Sequence, residues 1–184
     1  MIVKVTLAAA LLAGGVGLMA PIALAASGTD TCAATPTSAT PTDCKPPVRT
    51  RGGALPGADE AVARALRLVG SHGYYQLCAR LAANIWGRPR AGYLSAAEQW
   101  HEMVTTNHAH PSDRQPPAGA LVFWATGGPY GHVAVYVGNG RIVSNDIGDA
   151  VAGEGGVYLV DFGLIESQWG ATYLGWASPI YSTT

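Results

Sequence analysis

Two stretches decide the fold of this chain: YYQLCARLAANIW at positions 74–86 and GHVAVYVGNG at positions 131–140. The first has apolar residues at helical spacing and predicts a helix, with Cys78 near its start. The second predicts a strand, and His132 stands at its beginning. A thiol needs a base to become a thiolate near neutral pH, and the N-terminus of a helix lowers its pKa. Cys78 and His132 are therefore the candidate nucleophile and its candidate base.

The surrounding sequence predicts an α+β fold with three helices before an antiparallel sheet. Asp59 is the expected N-cap of the first helix and Ser95 that of the third. Ala120–Trp124 is a continuous apolar run, which predicts a strand buried on both faces. The second helix is expected from about Tyr75 to Trp86, and the other strands at 133–137, 141–144, 156–160 and 172–177.

The first 25 residues have the features of an export signal. Lys4 precedes an apolar stretch at 7–19, and Ala23-Leu24-Ala25 matches the small-x-small cleavage rule. We therefore expect a signal peptide at 1–25, a mature chain that begins at Ala26, and a secreted protein. The alternative is an uncleaved membrane anchor, because the apolar stretch is nearly long enough to span a bilayer.

Residues 26–57 form a Thr-, Pro- and Ser-rich tract that has almost no large apolar side chains. Such a tract cannot bury enough surface to offset the entropy of ordering, so it predicts a linker. Cys32 and Cys44 lie within it, close enough in sequence for a local disulfide. Of the 3 cysteines, that leaves Cys78 as the odd thiol, which fits either a catalytic nucleophile or a buried apolar side chain. Residues 58–184 are expected to form one domain.

Charge and composition exclude some partners and cofactors. The formal net charge is −1 and no basic stripe is present, which argues against nucleic acid as a partner. His108 and His110 alternate in a polar segment, but no cysteine or further histidine nearby completes a zinc site. We expect no metal and no cofactor, and the protein is expected to be a monomer.

Three blocks of sequence resemble the NlpC family of papain-like cell-wall peptidases and its CHAP relatives, the cysteine- and histidine-dependent amidohydrolases. The blocks are YQLCARLA at 75–82, AGALVFW at 118–124 and GHVAVYVGNG at 131–140. The first departs from the NlpC pattern, which has Asp before the nucleophile and Ser-Gly after it. The resemblance implies a papain-like fold and a wall-associated enzyme that hydrolyses an amide of the peptidoglycan stem peptide.

The resemblance also assigns roles within the site. It implies that Cys78 is the nucleophile and that His132 takes its proton and later protonates the leaving amine. The oxyanion would be held by the backbone N–H of Cys78 and a second donor, for which Tyr75 is the candidate. The alternative for Tyr75 is a packing aromatic side chain.

The resemblance further implies that the third catalytic group lies on the strand that follows the histidine strand and faces the same side. A two-residue loop would place Asn145 on the face of His132, whereas a three-residue loop would place Ser144 and Asp146 there. Gly140 suits the longer loop, because it can adopt a positive φ. A carboxylate orients an imidazole better than a hydroxyl does, so Asp146 is preferred, then Asn145, then Ser144.

Two further functions stay open for a domain of this kind. A degenerate member would bind wall peptides without cleaving them. An acyl transferase would pass the same thioester to an amine instead of water. For a hydrolase, a pocket for a free amine or carboxylate of the substrate could use Arg80, Arg88 or Arg90, but the sequence does not place them in space.

Overall fold

The computed structural model describes residues 55–181, so the predicted signal peptide, most of the linker and its Cys32–Cys44 pair lie outside the described residues. Four helices are present in this range. Three of them precede the main strands, as predicted, and the fourth was not predicted. They are α1 (Ala58–Leu68), α2 (Cys78–Ile85), α3 (Ala96–Thr105) and α4 (Leu164–Trp169).

Helix α2 begins at Cys78, three residues later than the sequence predicts. Gln76 has φ 56°, in the left-handed region, which a right-handed helix cannot include. The amide of Leu77 instead closes a turn on the carbonyl of Tyr74. Cys78 is thereby the first helical residue, and the buried face of α2 begins at Leu81.

The starts of α1 and α3 differ in how they are capped. Ser95 caps α3 as predicted, because its hydroxyl accepts a hydrogen bond from the amide of Glu98 at 3.1 Å. Asp59 does not cap α1: Gly57 occupies the N-cap, and Asp59 lies within the first helical turn. A carboxylate there still interacts favourably with the positive end of the helix dipole.

Six strands form one antiparallel sheet in the order β1-β6-β2-β3-β4-β5. Strand β2 is central, and Leu121, Val122, Phe123 and Trp124 are all buried, which confirms the prediction of a strand covered on both faces. Phe123 lies in one apolar cluster with α2, while Trp124 lies in a second with α4. The strands are β1 (Ala109–Pro111), β2 (Leu121–Ala125), β3 (His132–Gly138), β4 (Arg141–Asn145), β5 (Val157–Asp161) and β6 (Thr172–Ala177).

The register between β3 and β4 is the one expected for the longer loop. Val135 pairs with Val143, and extension of this register places position 146 opposite His132. The turn itself differs from the expectation, since Asn139 and Gly140 both have positive φ and the strands shift register next to Gly138. A tight turn followed by a bulge therefore gives the same pairing as a three-residue loop.

The segment with His108 and His110, predicted as a loop, contains the short strand β1. The ring of His110 stacks on Trp176 of β6 at 3.6 Å between centroids, while Nδ1 of His108 lies 2.9 Å from Thr106 Oγ1. The two imidazoles therefore have separate partners. Within residues 55–181 no helix combines the length and apolar character needed to cross a bilayer.

Candidate active site

A cleft of about 520 Å³ brings the two principal candidate residues together. Cys78 comes from the first turn of α2 and His132 from the first residue of β3. Its walls also include Gln76, Asp146 and Trp169. The packing of α2 against β3 thus joins residues that are 54 positions apart in the sequence.

The thiol of Cys78 lies among backbone amides. Leu77, the N-cap of α2, accepts no hydrogen bond through its side chain from the first N–H groups of the helix. Burial raises the pKa of the Cys78 thiol above its ordinary value of 9.0, while the amides of Val133, Ala79 and Cys78 itself oppose that rise by donating to sulfur. The carboxylate of Asp146 raises the pKa further by repelling the thiolate.

His132 is 4 % exposed, and its ring is held by Ser144. The Nε2 atom lies 2.8 Å from Ser144 Oγ, and that hydroxyl in turn lies 3.3 Å from the carbonyl of Asn145. A hydroxyl that donates its hydrogen to a carbonyl can still accept a hydrogen bond, but it has no hydrogen left to donate. This pattern assigns the hydrogen of His132 to Nε2 and leaves Nδ1 as the basic nitrogen.

Burial lowers the pKa of His132 from 6.5 to about 3. Desolvation disfavours the charged imidazolium, and no carboxylate accepts a hydrogen bond from the ring among the described residues. At neutral pH the site therefore holds a neutral imidazole, which is the form that can accept a proton.

Asp146 makes no hydrogen bond to the imidazole, in contrast to the preferred assignment from strand parity. Its φ is 65°, so the strand ends at Asn145 and the parity of the strand no longer directs the next side chain. The Oδ2 atom of Asp146 instead accepts hydrogen bonds from the amide of Gln76 at 2.9 Å and from Asn145 Nδ2 at 2.9 Å. Burial raises the pKa of this carboxyl above its ordinary value, and the Gln76 amide partly opposes that rise.

Asn145, the second choice, is fully buried and points to the loop before the nucleophile. Its Nδ2 donates to the carbonyl of Tyr74 at 2.7 Å. Gly155 approaches the same loop so closely that an added Cβ would meet the amide nitrogen of Tyr75. Asn145, Asp146 and Gly155 together fix the segment that leads into Cys78. The contact to His132 is made by Ser144, the last of the three choices.

Tyr75 is 47 % exposed and lies beside the cleft, whereas its neighbour Gln76 lines the cleft. The side-chain Nε2 of Gln76 donates a hydrogen bond to the hydroxyl of Tyr75 at 3.3 Å, so the two side chains are in contact. Tyr75 as an oxyanion donor stays a prediction. Gln76 is a second candidate, which the sequence analysis missed.

Trp169 is another residue that the sequence analysis missed. It ends α4, and its ring meets the ring of His132 edge-on, with 4.9 Å between centroids and an angle of 86°. The indole and the imidazole thus lie side by side in the wall of the cleft. The only signal in the sequence is a tryptophan before Gly170, in a six-residue helix too short to show a clear period.

Among residues 55–181 no group of three or more His, Cys, Asp or Glu side chains is arranged to hold a metal ion. The groups that converge in the cleft are instead a thiol, an imidazole and a set of backbone amides. This combination suits attack by sulfur on a carbonyl carbon, with the imidazole as base.

Comparison with known protein families gives one match. Residues 69–146 match the family described as CHAP domain, and the matched segment includes Cys78, His132 and Ser144. A search of curated proteins finds no significant relative. The α+β arrangement, with helices packed against an antiparallel six-stranded sheet, agrees with the papain-like fold of that family. Residues 69–146 of this chain are therefore similar to a CHAP domain.

Proposed function

We propose that this protein is a cysteine hydrolase that cleaves an amide bond of the peptidoglycan stem peptide. A CHAP domain implies a role as a peptidoglycan hydrolase, either an amidase or a peptidase. One observation supports the mechanism most strongly. Cys78 and His132 line one cleft, and Ser144 holds Nε2 of the imidazole so that Nδ1 is free to accept the thiol proton.

The reaction begins with transfer of the thiol proton. Burial disfavours a lone thiolate and a lone imidazolium, so the proton passes from Cys78 Sγ to His132 Nδ1 as sulfur attacks the carbonyl carbon. The tetrahedral intermediate collapses to a thioester, and Nδ1–H of His132 gives its proton to the leaving amine. Water, deprotonated by the same nitrogen, then hydrolyses the thioester and restores the free thiol.

The developing oxyanion requires donors that are already oriented. The backbone N–H of Cys78 opens α2 and is one such donor. The side-chain amide of Gln76 lines the cleft and is a candidate for the second, with the Tyr75 hydroxyl next to it as the alternative.

The substrate lies outside the cytoplasm, which agrees with the signal peptide predicted at 1–25. We propose that the protein is exported and associated with the cell wall, and that the tract at 26–57 is a linker to the catalytic domain at 58–184. Export and the linker rest on the sequence composition, and association with the cell wall rests on the similarity to a CHAP domain.

Digestion of purified peptidoglycan tests the proposal. Wild type and Cys78→Ala are incubated with the wall polymer, and the soluble products are identified by mass spectrometry. The proposal expects new fragments from wild type alone, and their masses identify the cleaved bond. Equal fragments from both proteins would exclude Cys78 as the nucleophile.

One observation favours a second function, a module that binds the wall peptide without cleaving it. Burial raises the pKa of Cys78, as it does for an inert core cysteine. This alternative predicts that both proteins bind peptidoglycan in a sedimentation assay and that neither releases fragments.

A further inference from the structure

A second and larger cavity adjoins the catalytic cleft. Its volume is about 1010 Å³, and it lies between the exposed side of α2 and the loop that follows that helix. Ala79 and Leu94 line both cavities, so the two cavities are adjacent next to Cys78. We call this second cavity the arginine basin.

Three arginine side chains give the basin its charge. Arg80 comes from α2, two residues after Cys78, and Arg88 and Arg90 come from the following loop. Within residues 55–181 no carboxylate forms a salt bridge with any of these guanidinium groups, although three salt bridges are present elsewhere. All three arginines are exposed, so their charges face the basin and solvent.

One carboxylate, that of Glu98, also lines the basin. One of its oxygen atoms accepts a hydrogen bond from the amide of Leu94 at 2.6 Å, which places this group at the start of α3. A single carboxylate that is engaged with the backbone does not neutralise three guanidinium groups. The basin therefore carries net positive charge, in a protein whose overall formal charge is −1.

We propose that the arginine basin binds a carboxylate-bearing part of the peptide substrate and so sets which side of the scissile amide carries that group. This inference rests on the proposed hydrolase function. Guanidinium groups bind carboxylates with two parallel hydrogen bonds, which fixes both position and orientation. Because the basin adjoins the cleft, one extended molecule can occupy both and present its amide to Cys78.

The boundary between the cavities suits an extended peptide. Leu94 is 95 % exposed at this boundary, and Leu77 lies on the basin side. An exposed apolar ridge can contact the aliphatic part of a peptide residue whose carboxylate reaches the arginines. The ligand chemistry is therefore an acidic peptide with an aliphatic segment between its carboxylate and the scissile bond.

The test uses soluble peptide fragments of peptidoglycan, either untreated or with their carboxylates converted to carboxamides. The kinetic constants kcat and KM are measured for wild type and for the combined variant Arg80→Gln, Arg88→Gln, Arg90→Gln. A second variant with lysine at the same three positions retains the charge. Arg67→Gln is the matched control, because Arg67 is exposed on α1 and lines neither cavity.

The proposal expects wild type to prefer the carboxylate fragments by about 10-fold or more in kcat/KM. The glutamine variant should lose this preference through a higher KM at unchanged kcat, the lysine variant should keep part of it, and Arg67→Gln should keep all of it. Equal kcat/KM for both fragment types in wild type, with normal turnover, would overturn the inference while the hydrolase function stands.

A measurement of binding tests the arginine basin independently of hydrolysis. Calorimetric titration of Cys78→Ala with the same fragments measures affinity without turnover. If wild type cleaves nothing but carboxylate fragments still bind in an arginine-dependent manner, the hydrolase proposal fails, and of the inference only the binding of the carboxylate by the basin stands. If only a glycerol-phosphate polymer binds in that manner, the basin serves a different wall polymer and the inference is wrong.

Discussion

The hydroxyl of Ser144 determines which nitrogen of His132 is basic. It accepts a hydrogen bond from Nε2–H and donates to the carbonyl of Asn145, in a part of the site that is closed to solvent. When the imidazole becomes charged during the reaction, this acceptor also stabilises Nε2–H. In the proposed mechanism, Ser144 is therefore a positioning residue that acts through His132.

We predict that Ser144→Ala lowers kcat by about 10- to 100-fold with little change in KM, because a hydrogen bond to the charged imidazolium is lost. Ser144→Thr retains the hydroxyl and should recover most of the activity. Steady-state kinetics on soluble peptide fragments measure both variants. If Ser144→Ala retains full kcat, another group orients the imidazole.

Asp146 influences the thiol rather than the imidazole. Its charge raises the pKa of Cys78, and its Oδ2 atom holds the amide of Gln76. We predict that Asp146→Asn lowers the pKa of Cys78, since asparagine removes the repulsive charge but keeps an oxygen that can accept the hydrogen bond. The rate of alkylation by iodoacetamide as a function of pH reports this pKa. An unchanged pKa, together with a loss of kcat as large as that of Ser144→Ala, would return Asp146 to the role of orienting group.

Sequence alone was sufficient to identify Cys78 and His132 as cleft residues, because a helix start and a strand start are local features. The contact of Ser144 with His132 was less predictable. The register of β3 against β4 was predicted correctly, and so was the face of β4 that Ser144 shares with His132. The left-handed conformation of Asp146, however, depends on its hydrogen bonds to Gln76 and Asn145. A long-range contact of this kind leaves no periodic signal in the sequence.

At the scale of elements, α4 carries the aromatic cover of the site. Arg114 forms two hydrogen bonds with Glu166 of α4, at 2.9 and 2.6 Å, and its guanidinium lies 4.8 Å from the ring centroid of Tyr173 in β6. These contacts hold α4 next to the sheet. Trp169, at the end of the helix, is thereby placed against His132.

We predict that Trp169→Ala raises the pKa of His132 from about 3 toward its ordinary value of 6.5, because water then reaches the ring. The low-pH limb of kcat/KM should move to higher pH, since the proton acceptor becomes charged in weaker acid. Trp169→Phe keeps an aromatic cover and serves as the control. Identical pH profiles for wild type and Trp169→Ala would show that the indole does not shield the imidazole.

The longer elements were predictable because their patterns repeat over several residues. The bounds of β6 match the prediction, and β2, β3, β4 and β5 each differ from it by one residue at one or both ends. The missed elements, β1 and α4, have three and six residues. Their formation depends on tertiary contacts, such as the stacking of His110 on Trp176. The helix and strand propensities of the local sequence do not contain this information.

At the scale of the whole molecule, the buried neutral histidine links stability to pH. In the unfolded chain His132 titrates near 6.5, whereas in the folded protein its pKa is about 3. As pH falls below 6.5 the unfolded state binds a proton that the folded state does not. Above pH 6.5 the titration of His132 therefore leaves the free energy of unfolding unchanged. Between pH 6.5 and 3 it lowers the free energy of unfolding progressively.

We predict that the free energy of unfolding falls by about 2 kcal/mol between pH 7 and pH 5 because of His132. His132→Gln lacks this titration and should show a correspondingly smaller loss. Urea denaturation of both proteins at the two pH values measures the difference. The same loss in both proteins would show that His132 does not titrate differently on folding.

The central claim is that Cys78 forms a thioester with the substrate and that His132 makes this possible. Wild type and His132→Gln are mixed with soluble peptidoglycan fragments, quenched in acid within the first turnover, and analysed by intact-protein mass spectrometry with peptide mapping. The account predicts an acyl adduct on Cys78 of wild type, removed by hydroxylamine, and none on His132→Gln. Product release by wild type without any adduct on Cys78, and with undiminished activity of Cys78→Ala, would contradict it.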